Sequence, residues 1–356
     1  MSKKVTMQQI ADHLGVSKFV ISKALSGKSG VNEQTKERVI QAASQLGYFT
    51  QKNAYVKSML KTDQLPEING ANKQSVIVLM PNIRFQTKDS LYWGRIVDGI
   101  AARLERDGLG MVIISEQSVD HFLHLLNPSG ILGLIGVGEI STSLLLEVHR
   151  IGLPMVLVDH EDPLIPTDTV FVNNYDSINR LAKHLMGTGH RQLHFIGDIQ
   201  FSRSFYDRWT GFRSALEEQG SILGVHDQIF LSLNGIESEY FQEQIRNWAA
   251  KRKKAGNLPT ALLCANDFIA ICAVRALQEL GISVPEQVSV TGFDNIEVAD
   301  QLKPKLTTVH VPKETLGRRA VDKLLERIAN RQEPVEKLLI AGEILYREST
   351  VASARE

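Results

Sequence analysis

Residues 5–25 read VTMQQIADHLGVSKFVISKAL, and this stretch decides the fold of the N-terminal part of the chain. Two short stripes of apolar residues repeat at helical spacing on either side of Gly15. Thr6 and Gln9 are spaced as a capping box for the first helix, and Ser17 is placed as the N-cap of the second. Gly15 can adopt the left-handed conformation that ends one helix and turns the chain into the next. The spacing therefore predicts a helix-turn-helix.

Residues 1–62 form a basic head. They include ten basic and three acidic residues, a net charge of +7, so the rest of this electrically neutral chain carries −7. A third apolar stripe consists of Val39, Ile40, Ala43 and Leu46 and follows a predicted N-cap at Asn32. It predicts a third helix in the head. A basic helical head on an acidic body indicates a module that binds a polyanion.

The second helix of the head holds the candidate DNA contacts. In a helix-turn-helix this helix enters the major groove, and its early residues meet base edges. The side chains that packing does not require are Lys18, Phe19, Ser22 and Lys23. Lysine can donate to guanine, whereas phenylalanine offers only apolar contact, for example with a thymine methyl group. Ser17 and Lys28 suit phosphate contacts, which position the protein without reading sequence.

The composition describes an ordinary globular chain. It has 356 residues, of which 43% are hydrophobic and 22% charged, enough for two or three domains. Its apolar runs are far shorter than the ~20 residues of a membrane span, and its N-terminus lacks the apolar stretch of a signal peptide. Two cysteines, Cys264 and Cys272, make neither a disulfide framework nor a zinc set. We expect a soluble cytoplasmic protein with no membrane partner.

Residues 5–48 resemble the DNA-binding head of the lactose-repressor (LacI/GalR) family of bacterial transcription regulators. The matching residues are Val5-Thr6, Ile10-Ala11, Gly15-Val16-Ser17, Ile21–Leu25, Gly27, Val31, Thr35, Arg38-Val39, Ala42-Ala43 and Leu46-Gly47-Tyr48. On this resemblance, Thr6, Asn32 and Ala54 join the predicted DNA contacts. The recognition helix departs from the family at Val20 and Lys23, where Thr and Arg are usual. Because Lys23 exchanges a bidentate group for a point charge, the operator sequence does not follow from the family pattern.

The segment after the head leaves two interpretations open. Family members usually continue with a hinge helix whose leucine wedges into the minor groove, but Lys57 occupies that position here. Met59 or Leu60 serves as the wedge if the helix is shifted; otherwise residues 52–61 form an ordinary amphipathic linker helix. Residues 61–74 are polar, with Pro66 and Asn69-Gly70, and are predicted to be a loop.

The body alternates between short β-rich runs and helical stretches, which predicts an α/β architecture of parallel sheets with crossover helices. The predicted strands are 75–80, 110–115, 130–137, 154–158, 192–197, 260–265 and 287–292. The predicted helices include 94–107, 141–150, 176–186, 206–219, 238–254 and 267–280. About 280 residues are too many for one open sheet, so we expect two lobes.

Polar residues at predicted strand ends are the candidate ligand contacts. No phosphate-binding loop, HExxH or GxSxG motif occurs in the chain, so we expect no enzyme. Carboxylate, amide and guanidinium groups at the ends of parallel strands suit a polyhydroxylated ligand, and aromatic rings stack on the apolar face of a sugar. The candidates are Asn82, Tyr92, Trp93, Asp159, Arg208, Asn266 and Asp294. Asp176 and Asp198 are interpreted as helix caps instead.

The body resembles the periplasmic-binding-protein-like effector domain of the same family. The matching segments are Gly189-His190-Arg191, Asp207–Phe212, Cys264–Asp267, Gly292–Asn295 and Leu306–Val309. The resemblance implies that Asp159, Arg208, Asn266 and Asp294 contact a sugar or related effector between two lobes. It also implies a helix-turn-helix domain at 1–50, a hinge and linker at 51–74 and a body at 75–350. Lobe one spans about 75–171 and 308–333, and lobe two about 172–307 and 334–350.

The expected function is that of a sequence-specific DNA-binding transcription regulator, with repression as the expected mode and a sugar or sugar derivative as the expected effector. The resemblance implies a homodimer that binds a pseudo-palindromic double-stranded DNA operator and responds to a small effector, with no cofactor and no metal. A sugar receptor used in transport would need a signal peptide and no basic head. A two-lobed enzyme would need a phosphate loop or a nucleophile. The sequence does not identify the effector or the direction of its effect.

Overall fold

The computed structural model describes residues 7–25, 32, 35, 38, 39, 42, 74–84, 86–119, 122, 130–220, 229–233 and 238–353. The predicted contacts Thr6, Lys28 and Ala54 and the hinge and linker at 51–73 lie outside these residues. The chain divides into two units: Met1–Val170 with Gly317–Lys337, and Phe171–Leu316 with Leu338–Glu356. Within the described part, no helix is long and apolar enough to cross a membrane.

The head has the predicted helix-turn-helix. Helices α1 (Met7–Leu14) and α2 (Lys18–Leu25) flank Gly15, whose φ of +66° is left-handed as predicted. The backbone N–H of Val20 donates to Ser17 Oγ at 3.3 Å, so Ser17 caps α2. The apolar stripes meet in one small core of Ile10, Ala11, Ile21, Ala24, Val39 and Ala42. Their burial leaves the opposite face of α2 to solvent.

The first unit of the body is built on a six-stranded sheet. Its strands are β1 (Ser75–Leu79), β2 (Gly110–Ile114), β3 (Ile131–Val137), β4 (Met155–Val158), β5 (Asp168–Val172) and β11 (Lys337–Ile340). They are arranged in the order β11-β5-β4-β3-β1-β2, and the pairs from β1 to β5 are parallel. The helices of this unit are α3 (Trp93–Arg106), α4 (Thr142–Ile151) and most of α10 (Lys313–Ala329).

The second unit repeats this plan. Its strands are β6 (Leu193–Gly197), β7 (Phe230–Ser232), β8 (Ala261–Cys264), β9 (Ser289–Asp294), β10 (Thr307–His310) and β12 (Glu343–Leu345), in the order β12-β10-β9-β8-β6-β7. Only the β10–β12 pair is antiparallel. The helices are α5 (Asn174–Gly187), α6 (Arg203–Glu218), α7 (Ser238–Lys254), α8 (Asp267–Glu279) and α9 (Glu297–Gln301). The predicted α/β body with two parallel sheets is confirmed.

The division between the units differs from the predicted lobe boundaries. Residues 308–316 lie in the second unit, not the first, because β10 pairs with β9 in register Thr308 to Gly292. Residues 334–337 lie in the first unit, not the second: the carbonyl of Pro334 accepts from Arg327, and the N–H of Glu336 donates to Asp168. The chain crosses near Val170, Leu316 and Lys337: the first and last crossings lie within three residues of the predicted 172 and 334, and the middle one lies nine residues after the predicted 307.

Two predicted helix caps are wrong. Asn173, not Asp176, caps α5: Asn173 Oδ1 accepts from the N–H of Asp176 at 3.2 Å. Ser202, not Asp198, caps α6, with its Oγ accepting a backbone N–H at 3.1 Å. Asp198 instead accepts from the N–H of Gln200 in the preceding loop at 2.9 Å. An uncharged amide or hydroxyl supplies the capping oxygen in both cases.

A buried ion pair ties α10 to the edge of the first sheet. Asp168, only 1% exposed, accepts from Arg327 Nε at 2.6 Å and Nη2 at 2.9 Å, and from the N–H of Glu336 at 2.8 Å. Arg327 also donates to the carbonyls of Glu333 and Pro334. One guanidinium thus joins the last turn of α10 to the loop that leads into β11.

Replacing Arg327 with methionine is expected to lower the free energy of unfolding by about 3–5 kcal/mol, because it leaves the Asp168 carboxylate buried and without its partner. Denaturant unfolding followed by circular dichroism measures this change. The control is Arg319→Met on the same helix, where an exposed pair with Asp322 spans 3.7 Å and its loss costs at most about 1 kcal/mol. Equal losses of unfolding free energy for the two variants would contradict a special contribution of the buried Arg327–Asp168 pair.

Candidate functional site

The outer face of α2 is the candidate DNA-reading surface. Lys18, Phe19 and Ser22 are exposed, and Phe19 leaves 67% of its surface in solvent. Lys23 Nζ lies 5.1 Å from the centroid of the Phe19 ring, close enough for a cation–π contact. The predicted recognition residues therefore share one face, with the Lys23 ammonium held beside an apolar ring.

Two further predicted DNA contacts have capping roles. Ser17 caps α2, and Asn32 Oδ1 accepts from the N–H of Thr35 at 2.7 Å. Both side chains therefore lie at helix starts, where backbone N–H groups favour anions. Their assignment as phosphate contacts stays a prediction.

In the first unit, the predicted ligand residues lie around the ends of β1 and β4. Asp159 directly follows β4 with a left-handed φ of 54°. Tyr92 and Trp93, at the start of α3, pack edge to face with ring centroids 4.8 Å apart. The carbonyl of Asn82 accepts from Gln117 Nε2 at 3.0 Å. Asn82 and Asp159 are thus placed on strand-end loops, as predicted.

Hydrogen bonds between the loop after β1 and the loop after β3 were not predicted. The buried amide of Gln86 donates to the carbonyl of Glu139 at 2.6 Å and accepts from its N–H at 3.1 Å. Arg84 forms an ion pair with the Glu139 carboxylate. Nearby, burial lowers the pKa of His160, so the imidazole next to Asp159 is neutral at pH 7. A glutamine, an arginine and a histidine in loops carry no sequence signal that distinguishes this role.

In the second unit, Arg208 is the centre of a buried polar cluster. It is 2% exposed and lies in the second turn of α6, which begins earlier than predicted, at Arg203. Its Nε donates to Asn174 Oδ1 at 2.8 Å, its Nη1 to the carbonyl of Ala265 at 2.6 Å, and its Nη2 to Asp294 Oδ1 at 3.5 Å. The guanidinium carbon also lies 3.7 Å from the centroid of the Phe293 ring. Arg208 therefore joins the ends of β8 and β9 to α5.

Asp294 and Asn295 turn the chain at the end of β9 in an unusual conformation. Their φ angles are 111° and 51°, a left-handed region that costs non-glycine residues about 1–3 kcal/mol each. Lys313 Nζ donates to the carbonyls of Asp294 and Asn295, and Arg347 Nη2 donates to Asn295 Oδ1 at 2.8 Å. Strain that the surroundings hold in place in this way is typical of functional sites.

Asn266 and Asp267, between β8 and α8, have structural roles. Asn266 Oδ1 accepts from the N–H of Ile269 at 2.9 Å and caps α8. The Asp267 carboxylate accepts from Thr308 Oγ1 and from the N–H of Ile296, the latter at 2.9 Å. Burial, and then the charge of Asp294, raise the pKa of Asp267 to about 7. Asn266 stays a predicted ligand residue, with its oxygen already used as a cap.

Each unit therefore gathers its own share of the predicted ligand residues: Asn82, Tyr92, Trp93 and Asp159 in the first, Arg208, Asn266 and Asp294 in the second. The second set places a carboxylate acceptor beside a guanidinium donor at the carboxyl edge of a parallel sheet, where ligands of such sheets bind. Among the described residues, no three His, Cys, Asp or Glu side chains are grouped to hold a metal ion. The side chains at this edge can donate and accept hydrogen bonds.

Comparison with known proteins agrees with both parts of the chain. Residues 6–51 match the family model for bacterial regulatory proteins of the lacI family, and residues 182–350 match that for the periplasmic binding protein-like domain. The repressor PurR of Haemophilus influenzae is 29% identical over 353 residues, which cover 97% of this chain and 98% of that protein.

Solved structures share the fold. A complex of the transcriptional regulator CelR with cellobiose is 22% identical, with a TM-score of 0.71 over 97% of this chain and 100% of that one. The lac repressor dimer bound to operator and the anti-inducer ONPF is 23% identical, with a TM-score of 0.66 over 98% of this chain and 100% of that one. At these identities the likeness concerns the fold alone.

A helix-turn-helix head joined to an α/β effector body defines the class of ligand-responsive DNA-binding transcription regulators. The chain joins a head of the lacI family of bacterial regulatory proteins to a periplasmic binding protein-like domain, and PurR repressors are similar to it over nearly its whole length. Proteins of this family act by binding DNA and not by catalysis, in agreement with the prediction from the sequence.

Proposed function

We propose that the protein is a homodimeric repressor of a pseudo-palindromic operator, and that a sugar or sugar derivative controls its affinity for DNA. The observation that carries the proposal is the strained Asp294–Asn295 turn beside Arg208, because it offers a polar ligand an acceptor and a donor at a sheet edge. Double-stranded DNA and the small ligand are the proposed partners.

The relatives support the individual parts of this proposal. PurR is a repressor, CelR was solved with cellobiose, and the lac repressor was solved as a dimer on its operator. An effector that binds two conformations with different affinities shifts DNA binding by that difference. We assign repression, dimerisation and a carbohydrate effector to this chain by analogy with these proteins.

Selection of bound fragments from a random DNA library by the full-length protein tests the proposal. Footprinting of the selected fragment, with and without a panel of sugars, then measures control by the effector. We expect a protected pseudo-palindrome whose protection one sugar weakens or strengthens. Protection of no sequence would contradict the DNA-binding half, and protection that no sugar changes would contradict the effector half.

Replacing Lys23 with alanine is expected to relax base preference at one position of the selected operator. The expected cost is about 1–3 kcal/mol on the preferred sequence, because a side chain that reads a base edge discriminates by that amount. Binding measured by fluorescence anisotropy on the selected site and on single-base variants gives the change. Phe19→Ala removes the ring beside Lys23. It should lower affinity for the site that carries the preferred base at the same position.

The alternative role of Lys23 gives a distinct result. If Lys23 contacts only phosphate, its replacement weakens binding equally on all sequences and reduces the dependence of affinity on salt. Lys23→Arg serves as the matched variant, because it keeps the charge and restores the group usual in the family. A salt dependence near zero for the parent protein would contradict phosphate contacts by the basic head.

A further inference from the structure

The left-handed turn of Asp294 and Asn295 is held by side chains from three other segments of the second unit. Lys313 Nζ, at the start of α10, donates to the carbonyls of both turn residues. Arg347, just after β12, donates from Nη2 to Asn295 Oδ1 at 2.8 Å. His310, at the end of β10, contacts the other end of the same amide group, with Asn295 Nδ2 and His310 Nδ1 3.1 Å apart. Two cations and one imidazole therefore hold the turn.

The contact between Asn295 and His310 fixes the protonation of the imidazole. A guanidinium only donates, so its bond to Asn295 Oδ1 identifies that atom as the amide oxygen and leaves the NH2 group to face His310. An NH2 group donates, and an imidazole nitrogen accepts only when it carries no hydrogen. His310 is therefore neutral in this arrangement, with its hydrogen on Nε2.

Charged groups surround His310 on its neighbouring elements. They are Lys313 and Glu314 on α10, Glu343 on β12, Arg347 after β12, and Asp294 on β9, which is paired with Arg208. Burial and then the charge of Lys313 lower the pKa of His310, whereas the charges of Glu343 and Glu314 raise it. The net effect is a pKa below that of a free imidazole, which is about 6.5, so the neutral form persists to lower pH.

A proton on His310 Nδ1 would replace this hydrogen bond with two donors that face each other. The new N–H would point at the NH2 group of Asn295, and a third positive charge would join those of Lys313 and Arg347. Asp294 and Asn295, with φ angles of 111° and 51°, keep a conformation that persists only while the surroundings hold it. Loss of one holding contact therefore favours relaxation of the turn.

We propose that His310 is a positioning residue for this turn: its neutral imidazole holds Asn295 in place, and a proton on Nδ1 releases it. The inference rests on the proposed function, because Asp294 of the same turn is the proposed acceptor for the ligand. A ligand that needs the turn in this conformation binds less tightly once His310 is protonated. The imidazole thus couples proton uptake to the shape of the ligand site.

NMR of the full-length protein with 15N-labelled histidines tests the protonation state. His310→Asn identifies the His310 signals among those of the ten histidines by their loss. We expect hydrogen on Nε2 at pH 8 and titration below about pH 6.5. Asn295→Asp replaces the NH2 donor with a carboxylate oxygen, which accepts from a protonated Nδ1, so it should raise the pKa of His310 by at least about one pH unit. His149, exposed in α4 of the first unit, is the internal control, whose signals neither variant should move.

Hydrogen exchange followed by mass spectrometry tests the release of the turn. The reporter is residues 289–300, in which the N–H of Ile296 donates to Asp267 at 2.9 Å. His310→Asn is the matched variant, because its amide oxygen can accept from Asn295 Nδ2 and takes up no proton. At pH 5 we expect the parent to exchange about two- to tenfold faster than the variant, the factor for loss of one hydrogen bond, and at pH 8 equally fast. Asn295→Asp should suppress the acceleration too, since its carboxylate accepts from the protonated imidazole.

Hydrogen on Nδ1 at pH 8 overturns the inference, as does an Asn295→Asp protein in which His310 titrates at the same or a lower pH. It is also overturned if the parent and His310→Asn differ in exchange by the same factor at pH 5 and pH 8, or if β4 of the first unit shows the same change. Both measurements are made without DNA or ligand, so they decide the role of His310 whether or not a sugar controls operator binding. Footprinting decides the proposed function separately.

Discussion

Arg208→Met is expected to lower the free energy of unfolding of the second unit by about 3–5 kcal/mol and to abolish effector binding. The side chain is buried and donates to Asn174, to the carbonyl of Ala265 and to Asp294. Methionine fills similar volume but donates nothing, so it leaves two neutral acceptors and one carboxylate without their partner. Denaturant unfolding followed by Trp209 fluorescence measures the loss, since Trp209 is the next residue on α6.

Arg213→Met on the same helix is the matched control. Arg213 pairs with Glu217 at 2.7 Å, but both side chains are more than a third exposed, so its loss should cost at most about 1 kcal/mol. Arg208→Lys separates charge from geometry: it keeps the cation but cannot reach three acceptors at once. If Arg208→Lys matched the parent in both stability and effector affinity, the three-way hydrogen bonding would not be what makes Arg208 important.

Among the described strands, most interior ones could be predicted from the sequence, and three of the four edge strands could not. All seven predicted strands occur, and each coincides with a mostly apolar run such as Met155–Val158. The strands that were missed are short or half exposed: β7, β10, β11 and β12. In β11 the sequence KLLI alternates between exposed and partly buried residues, and its pairing with β5 depends on residues more than 160 positions away. β5, which is buried, was missed because it begins with two polar residues, Asp168 and Thr169.

The sequence placed the predicted ligand residues near strand ends but did not reveal their contacts. Strand ends singled out Arg208 and Asp294, and the structure places them 3.5 Å apart. The same pattern does not separate a ligand contact from a helix cap, and Asn266 is a cap. Lys313 was missed because a lysine at a helix start is common in any chain. Its proximity to Asp294 arises from packing alone.

Among the residues near the site, Asp267 has the pKa that folding changes most clearly. Its carboxylate is buried beneath Gly292, where an added Cβ would lie 2.2 Å from Oδ1. Burial and the charge of Asp294 raise its pKa, while hydrogen bonds from Thr308 and Ile296 and the charge of Lys313 lower it, and the result is about 7. The folded protein therefore holds a proton on Asp267 that the unfolded chain has released by pH 5.

The sign of the pH effect follows from this difference. Between pH 4 and pH 7 the folded state binds more protons than the unfolded state, so stability falls as pH rises through this range and levels off above pH 7. For Asp267 alone the loss between pH 5 and pH 8 is on the order of 2 kcal/mol. In Asp267→Asn the amide can accept from Ile296 and donate to Thr308, and it carries no charge at any pH.

Asp267→Asn is therefore expected to be about as stable as the parent at pH 5 and more stable by about 2 kcal/mol at pH 8. Urea unfolding of both proteins at intervals between pH 5 and pH 8 measures the difference, in which the titrations of all other groups cancel. Asp300→Asn is the control for loss of a carboxylate from the same unit, because Asp300 is exposed in α9. A constant difference for Asp267→Asn, or one that grows toward acid pH, would mean that Asp267 is ionised throughout. The carboxylate would then stabilise the Ile296 turn through its charge, and the raised pKa would have no part in the stability of the site.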